Sequence, residues 1–149
     1  MLIASSVPPN RVLQAACDFS ERRAEIFPAV SVERLAVHEL GETFADVTEG
    51  TRAGPVFNWE RCRDDWSQPR SVKATVTDSN VYAVPGSRWE LTAIPSNGGS
   101  QVEMVWVREF SGGPRGRMFG TAFRLLGERI FAKYARDVLK NLGHLEARS

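Results

Sequence analysis

Between residues 31 and 110, apolar and polar side chains alternate with a period of two, which predicts β-strands. Short segments rich in Gly, Pro and Asn separate the alternating runs, and loops of this length favour antiparallel hairpins. The predicted strands are Leu2–Val7, Val32–Leu40, Thr43–Thr51, Val56–Trp66, Ser71–Asp78, Ser87–Ile94 and Gln101–Phe110. Together they predict one antiparallel meander.

The last two strands alternate most regularly and indicate which side of the sheet is buried. Trp89 and Leu91 share one face, while Arg88 and Glu90 share the other. In the final strand, the apolar face carries Val102, Met104, Trp106, Arg108 and Phe110. The pattern predicts a sheet with one wet face and one buried face.

Three segments have helical spacing. Pro9–Asp18 and Ser20–Ile26 predict short helices, and Pro is well suited to the first turn of the former. Arg117–Leu142 predicts a long helix that ends at Gly143. Its apolar stripe recurs at steps of three and four residues and comprises Phe119, Phe123, Leu126, Ile130, Tyr134 and Val138.

This order of elements predicts a single α+β domain over residues 1–149 with a helix-grip fold: a curved seven-stranded antiparallel sheet around the C-terminal helix. A helix is narrower than a twisted sheet, so space is expected between them. Such a space is either a ligand pocket or a filled aromatic core, and the sequence leaves this open. The predicted ligand-binding residues are Trp59, Trp89, Leu91, Met104, Trp106, Arg108, Phe119, Phe123 and Tyr134.

The chain resembles the START-like, or SRPBCC, superfamily, which includes Bet v 1-like proteins and polyketide cyclase/dehydrase-like proteins. The resemblance spans Ile3 to Leu145 and rests on element order and on five short segments. These are Val7–Val12, Asp18-Phe19, Trp89–Leu91, Gly98–Val102 and Leu139–Leu142. It implies a deep hydrophobic cavity between sheet and closing helix that takes lipid- or polyketide-like molecules.

Two arginines are candidates for catalytic groups. Arg108 shares the face of Met104 and Trp106, and it either bridges an acid or anchors an anionic ligand group. The segment around Arg61 resembles a strand of polyketide aromatase/cyclases, where an inward arginine polarises a carbonyl. The alternation does not decide which face of strand 56–66 points inward, and cross-strand ion pairing of Glu60, Arg61, Arg63 and Asp64 on the wet face is favoured modestly.

Other candidates for chemistry are few. Tyr134 or His38 could move a proton, and Asp46 and Tyr82 could reach a cavity. A lone strand histidine is more often a hydrogen-bonded structural residue. No spacing typical of metal ligands or of a phosphate loop occurs, so neither a metal nor a cofactor is expected.

The charge distribution bears on partners. The chain carries 19 basic and 18 acidic side chains, for a net charge of +1, which offers no overall field for nucleic acid. The basic strip on the last helix, Arg129, Lys133, Arg136 and Lys140, is expected to be a solvated face or to dock an acidic partner. Cys17 and Cys62 are expected to be free thiols, and the protein is expected to be cytoplasmic and not membrane-integral.

Three functional hypotheses follow. The first is binding or carriage of a small hydrophobic molecule, because no catalytic motif stands out. The second is a polyketide aromatase/cyclase- or dehydratase-like enzyme that uses Arg61 or Arg108. The third is an interaction module that docks an acidic partner.

Overall fold

The computed structural model describes residues 1–53, 56–83 and 86–148. Turns predicted at 53–55 and 85–86 fall partly outside these ranges. The strands are β1 (Leu2–Ser5), β2 (Ala36–Leu40), β3 (Phe44–Ala53), β4 (Val56–Asp65), β5 (Ser71–Ser79), β6 (Arg88–Ser96) and β7 (Gly99–Val107). The helices are α1 (Pro9–Ala16), α2 (Arg22–Ile26) and α3 (Pro114–Glu146), and a 3-10 turn covers Val32–Arg34.

Over the described residues the strands form one antiparallel seven-stranded sheet in the order β1-β7-β6-β5-β4-β3-β2. This confirms the predicted meander and the helix-grip architecture. Consecutive strands from β2 to β7 pair directly, and β1 pairs with β7, with Ile3 opposite Val102. The β6–β7 turn places Gly98 at φ +84°, a left-handed conformation that favours glycine.

The strand predicted at Val32–Leu40 is shorter than expected. Val32–Arg34 forms a 3-10 turn, and pairing with β3 begins only where Ala36 meets Thr48. The guanidinium of Arg34 lies 3.9 Å from the centre of the Phe57 ring. The turn therefore packs its side chain on the sheet surface, and β2 is left as a short exposed edge strand.

The long helix extends beyond its predicted limits at both ends. It begins at Pro114 and runs through Gly143 to Glu146, so Gly143 is not the predicted stop. Side chains on its last turns hold it in place, since Glu146 accepts two hydrogen bonds from Arg11 at 2.7 and 2.8 Å. This tertiary ion pair joins α1 to the final turn of α3.

The core lies between the sheet and the second half of α3. Val72, Leu91, Val102 and Met104 from β5–β7 pack with the buried side chains Ala135, Val138, Leu139 and Leu142 of the helix. Each fully buried aliphatic side chain stabilises the fold by about 1.5–3 kcal/mol. The first half of α3 is less covered.

Two residues of the predicted apolar stripe, Leu126 and Ile130, are about half exposed, so this part of the stripe is not covered by the sheet. Sheet and helix therefore separate toward the first half of α3.

Candidate functional site

A cavity of about 240 Å³ occupies this separation. Its apolar wall comes from the inner face of β6 and β7, the segment after α2, and the middle of α3. Apart from two tyrosines described below, the apolar and aromatic residues that line it are Phe27, Ala29, Val30, Trp59, Trp89, Leu91, Met104, Trp106, Ile130, Phe131 and Val138. Because Ile130 is also about half exposed, the cavity reaches the surface beside the middle of α3.

Seven of the nine predicted ligand-binding residues line the cavity, namely Trp59, Trp89, Leu91, Met104, Trp106, Arg108 and Tyr134. Phe119 and Phe123 do not. The ring of Phe123 lies 5.4 Å from those of both Phe110 and Phe131, so it supports the wall from behind.

The polar end of the cavity contains a buried ion pair between β4 and the segment after β7. Arg108 donates from Nη1 and Nη2 to the two carboxylate oxygens of Glu60, at 3.0 and 3.4 Å. The guanidinium lies 4.5 Å from the centre of the Tyr82 ring. Burial raises the pKa of Glu60, although the charge of Arg108 opposes this shift. Arg108 thus both bridges an acid and lines the cavity.

A second ion pair joins α2 to β3. Arg23 donates from Nε to Glu49, and from Nη1 to the carbonyl oxygen of Ala16 at 3.0 Å. Its guanidinium lies 4.4 Å from the Phe19 ring centre and 4.7 Å from that of Phe27. Both Arg23 and Glu49 line the cavity. These contacts fix the position of the Arg23 guanidinium in the absence of a ligand.

Asp64 is the most deeply buried carboxyl of this region. Its Oδ2 lies 3.9 Å from Arg23 Nη2, and neither carboxylate oxygen has a hydrogen-bond partner among the described residues. Burial raises its pKa to about 8, against the pull of Arg23 and with the help of Glu49 and Glu60. At neutral pH the carboxyl is therefore mostly protonated.

Two tyrosines complete the polar end. Tyr82 and Tyr134 line the cavity, and in the described part of the chain neither hydroxyl has a protein hydrogen-bond partner. Burial raises the pKa of both phenols, so they stay protonated at neutral pH. Each hydroxyl can therefore donate to or accept from a molecule in the cavity.

Arg61, the other predicted catalytic arginine, lies on the outer face of the sheet. It donates to both carboxylate oxygens of Asp46 at 2.7 and 2.8 Å, and its side chain is 42% exposed. Arg63 likewise pairs outward with Glu39. The prediction that this strand pairs its charges on the wet face therefore holds for the two arginines, whose partners are Asp46 and Glu39. It is wrong for Glu60 and Asp64, which point inward.

His38 is also on the outer face. Its Nε2 lies 2.8 Å from Thr48 Oγ1, in line with a structural role. Of the residues predicted to polarise a carbonyl or move a proton, only Arg108 and Tyr134 line the cavity.

No protein-family model matches the chain, and no curated protein matches it in sequence. Solved structures do match it. TTHA0849 from Thermus thermophilus superposes with a TM-score of 0.76 at 17% identity, covering 100% of this chain and 97% of that one. The Zhui aromatase/cyclase from Streptomyces sp. R1128 gives 0.69 at 17% identity over 99% and 92%, and Ara h 8.0201 gives 0.68 at 12% over 100% and 96%.

The chain has the helix-grip fold. The likeness covers at least 92% of each chain compared, and it confirms the predicted resemblance to the START-like superfamily at the level of the fold.

Three charged residues of the helix-grip cavity, Arg23, Glu49 and Glu60, were missed as ligand-facing groups in the sequence-based prediction. Glu49 follows Ala45 and Val47 at a spacing of two, and both of these are buried. Arg23 precedes Ile26 and Phe27 by three and four residues, on the buried side of α2. For Glu49 and Arg23, the available signal was a charged residue at a position where the spacing of the neighbouring apolar residues calls for a buried side chain.

The remaining expectations concern the surface and the compartment. Cys17 and Cys62 are free thiols. In the described ranges, no helix combines the length and the apolar character needed to cross a membrane. Arg129, Lys133, Arg136 and Lys140 are exposed on α3, and Lys133 donates to Asp137 at 2.5 Å. Docking of an acidic partner on this strip stays a prediction.

Proposed function

We propose that this protein binds a compact, largely apolar molecule in the helix-grip cavity. One observation carries the proposal: the cavity joins a wall of aromatic and aliphatic side chains to a polar end with accessible carboxylates and phenol hydroxyls. This combination is typical of small-molecule sites, where apolar surface supplies affinity and a few polar groups fix orientation. A filled core would leave neither the space nor unpartnered hydroxyls.

The size of the cavity limits the ligand. Its volume of about 240 Å³ lies just below the roughly 300–1,000 Å³ of typical ligand pockets. A fused aromatic ring system or a short acyl chain fits this space, whereas a diacyl lipid does not. Flat rings suit the wall best because Trp89, Trp106 and Phe131 can pack against them.

The test is binding of the neutral fluorescent probe N-phenyl-1-naphthylamine. We expect saturable one-to-one binding by the wild-type protein. Met104→Trp should weaken it at least about tenfold, or ~1.4 kcal/mol, because Met104 lines the cavity and a tryptophan there occupies ligand space. Fluorescence titration measures the affinity of both proteins.

Val105→Trp is the matched control. Val105 is the next residue of β7 and is exposed on the opposite face of the sheet, so the same substitution leaves the cavity unchanged. Thermal unfolding of each variant establishes that it is folded. Absence of saturable binding to the wild-type protein, or equal loss in the two variants, contradicts the proposal.

A second candidate function is acid–base catalysis on a bound polyketide-like substrate. It is favoured by the position of Glu60, a carboxylate whose pKa is raised by burial, in the same cavity as the unpartnered Tyr82 and Tyr134 hydroxyls. The shared fold with the Zhui aromatase/cyclase is in line with it. Incubation with a linear poly-β-ketone and detection of aromatic product by absorbance tests this function, and binding without turnover assigns a carrier instead.

We also propose that the protein is cytoplasmic. Two free cysteines fit a reducing compartment, in which disulfides are rare.

A further inference from the structure

The two arginines at the polar end of the cavity are hidden, and their carboxylate partners are not. The side chains of Arg23 and Arg108 are 2% and 5% exposed, while those of Glu49 and Glu60 are 20% and 19% exposed. All four residues line the cavity. In each pair the acid therefore lies nearer to the space that a ligand would fill.

The hydrogen bonds show the same asymmetry. Both terminal nitrogens of Arg108 donate hydrogen bonds to Glu60. Arg23 donates hydrogen bonds to Glu49 and to the carbonyl oxygens of Ala16 and Asp18. Arg108 Nε has no hydrogen-bond partner in the described structure, but it is fully buried, so a ligand acceptor reaches neither arginine as readily as a ligand donor reaches the two carboxylates.

Acceptors, in contrast, are in surplus. Glu49 and Glu60 present partly exposed carboxylate oxygens to the cavity, whereas the unpartnered Asn58 Oδ1 is fully buried in its wall. The two tyrosine hydroxyls can act either way. The balance of the polar end thus favours a ligand that donates hydrogen bonds.

The charges agree with this balance. Glu49, Glu60 and Asp64 face two guanidinium groups, and Asp64 is mostly neutral at pH 7 because burial raises its pKa to about 8. The cluster then has no positive charge left over for an anion. A ligand carboxylate would lose its hydration and meet two accessible carboxylates, which disfavours its charged form.

We infer that the ligand of this cavity presents a hydrogen-bond donor, a hydroxyl group or a protonated amine, to Glu60 and Glu49, and that carboxylate and phosphate ligands are rejected. The inference rests on the proposed function and specifies its substrate class. It differs from the role of anion anchor that the sequence suggested for Arg108.

Four ligands that share one ring system test it: naphthalene, 2-naphthol, 2-naphthylmethylamine and 2-naphthoate, each titrated calorimetrically at neutral pH. We expect 2-naphthol or 2-naphthylmethylamine to bind at least about tenfold more tightly than 2-naphthoate, and more tightly than naphthalene. The order of the alcohol and the amine distinguishes a neutral donor from a cationic one. Tightest binding of 2-naphthoate, or equal binding of all four, overturns the inference and leaves the proposed function standing.

Glu60→Gln supplies an independent test. The amide has nearly the same shape as the carboxylate but no negative charge, so the positive charge of Arg108 is no longer neutralised. The preference for 2-naphthol over 2-naphthoate should therefore shrink at least about fivefold. Glu39→Gln is the matched control, since Glu39 pairs with Arg63 on the outer face and should leave the preference unchanged. An unchanged preference in folded Glu60→Gln overturns the inference. Failure of all four ligands to bind the wild-type protein removes the proposed function and this inference with it.

Discussion

Arg23→Met is expected to destabilise the protein by about 3 kcal/mol or more, as removal of one partner from a buried ion pair typically does. Methionine fills much of the space but leaves Glu49 without its partner and two carbonyl oxygens without their donor. It also removes the cation that lies against the rings of Phe19 and Phe27. Urea unfolding followed by tryptophan fluorescence measures the loss of free energy of unfolding.

Arg61→Met is the comparison variant. It removes a bidentate arginine–carboxylate pair on the outer face of the sheet, where water replaces the lost partner. The effect of this substitution should be much smaller. If both variants lose the same stability, the view that Arg23 is a buried structural cation is wrong.

Asp64→Asn is expected to stabilise the protein at alkaline pH and to change little near pH 4. The folded-state pKa of Asp64 is raised to about 8 by burial, whereas that of an unfolded aspartate is about 3.9. Between these values the folded protein holds a proton that the unfolded chain has released. The free energy of unfolding of the wild-type protein therefore falls as pH rises through this range.

Asparagine cannot ionise, so the variant lacks this decline. Each pKa unit corresponds to about 1.4 kcal/mol. We expect a gain of roughly 2–4 kcal/mol at pH 8, less than the full shift because the buried amide brings two N–H donors that need partners. Urea unfolding at intervals from pH 4 to 9 measures the difference between the two proteins. A constant difference across this range would show that Asp64 does not titrate as described.

Asp46→Asn should behave in the opposite way. The hydrogen bond from Arg61 lowers the pKa of Asp46, so its stabilising contribution is present above the unfolded pKa and disappears as pH falls. Its loss should cost a little stability at neutral pH and none in strong acid. The two variants together distinguish a buried neutral carboxyl from a partly exposed carboxyl held in an ion pair.

Local periodicity was sufficient for the fold. Alternation in 71–78, 87–94 and 101–110 identified β5, β6 and β7, and the short loops between them required antiparallel neighbours. The apolar stripe identified the last helix as well, but the length of the helix was underestimated. Beyond Gly143 the helix carries Glu146, which pairs with Arg11, a residue far away in the sequence that no local pattern brings to the helix.

The cavity wall was also largely predictable. Trp89, Leu91, Met104 and Trp106 follow from the alternation of two strands, because inward side chains of a one-sided sheet must face whatever covers it. The exposure of Leu126 and Ile130 was not predictable, since a helical stripe defines a direction but not the distance to the opposing sheet.

By itself, the sequence determined the seven strands, the covering helix and the aromatic character of the space between them, because these depend on side-chain periods of two and 3.6. Only the tertiary structure decided that Glu60 points inward and Arg61 outward, since both faces of that strand are similarly polar. It alone also paired Arg108 with Glu60 and Arg23 with Glu49. Partners 48 and 26 residues apart meet through packing, which no local pattern encodes.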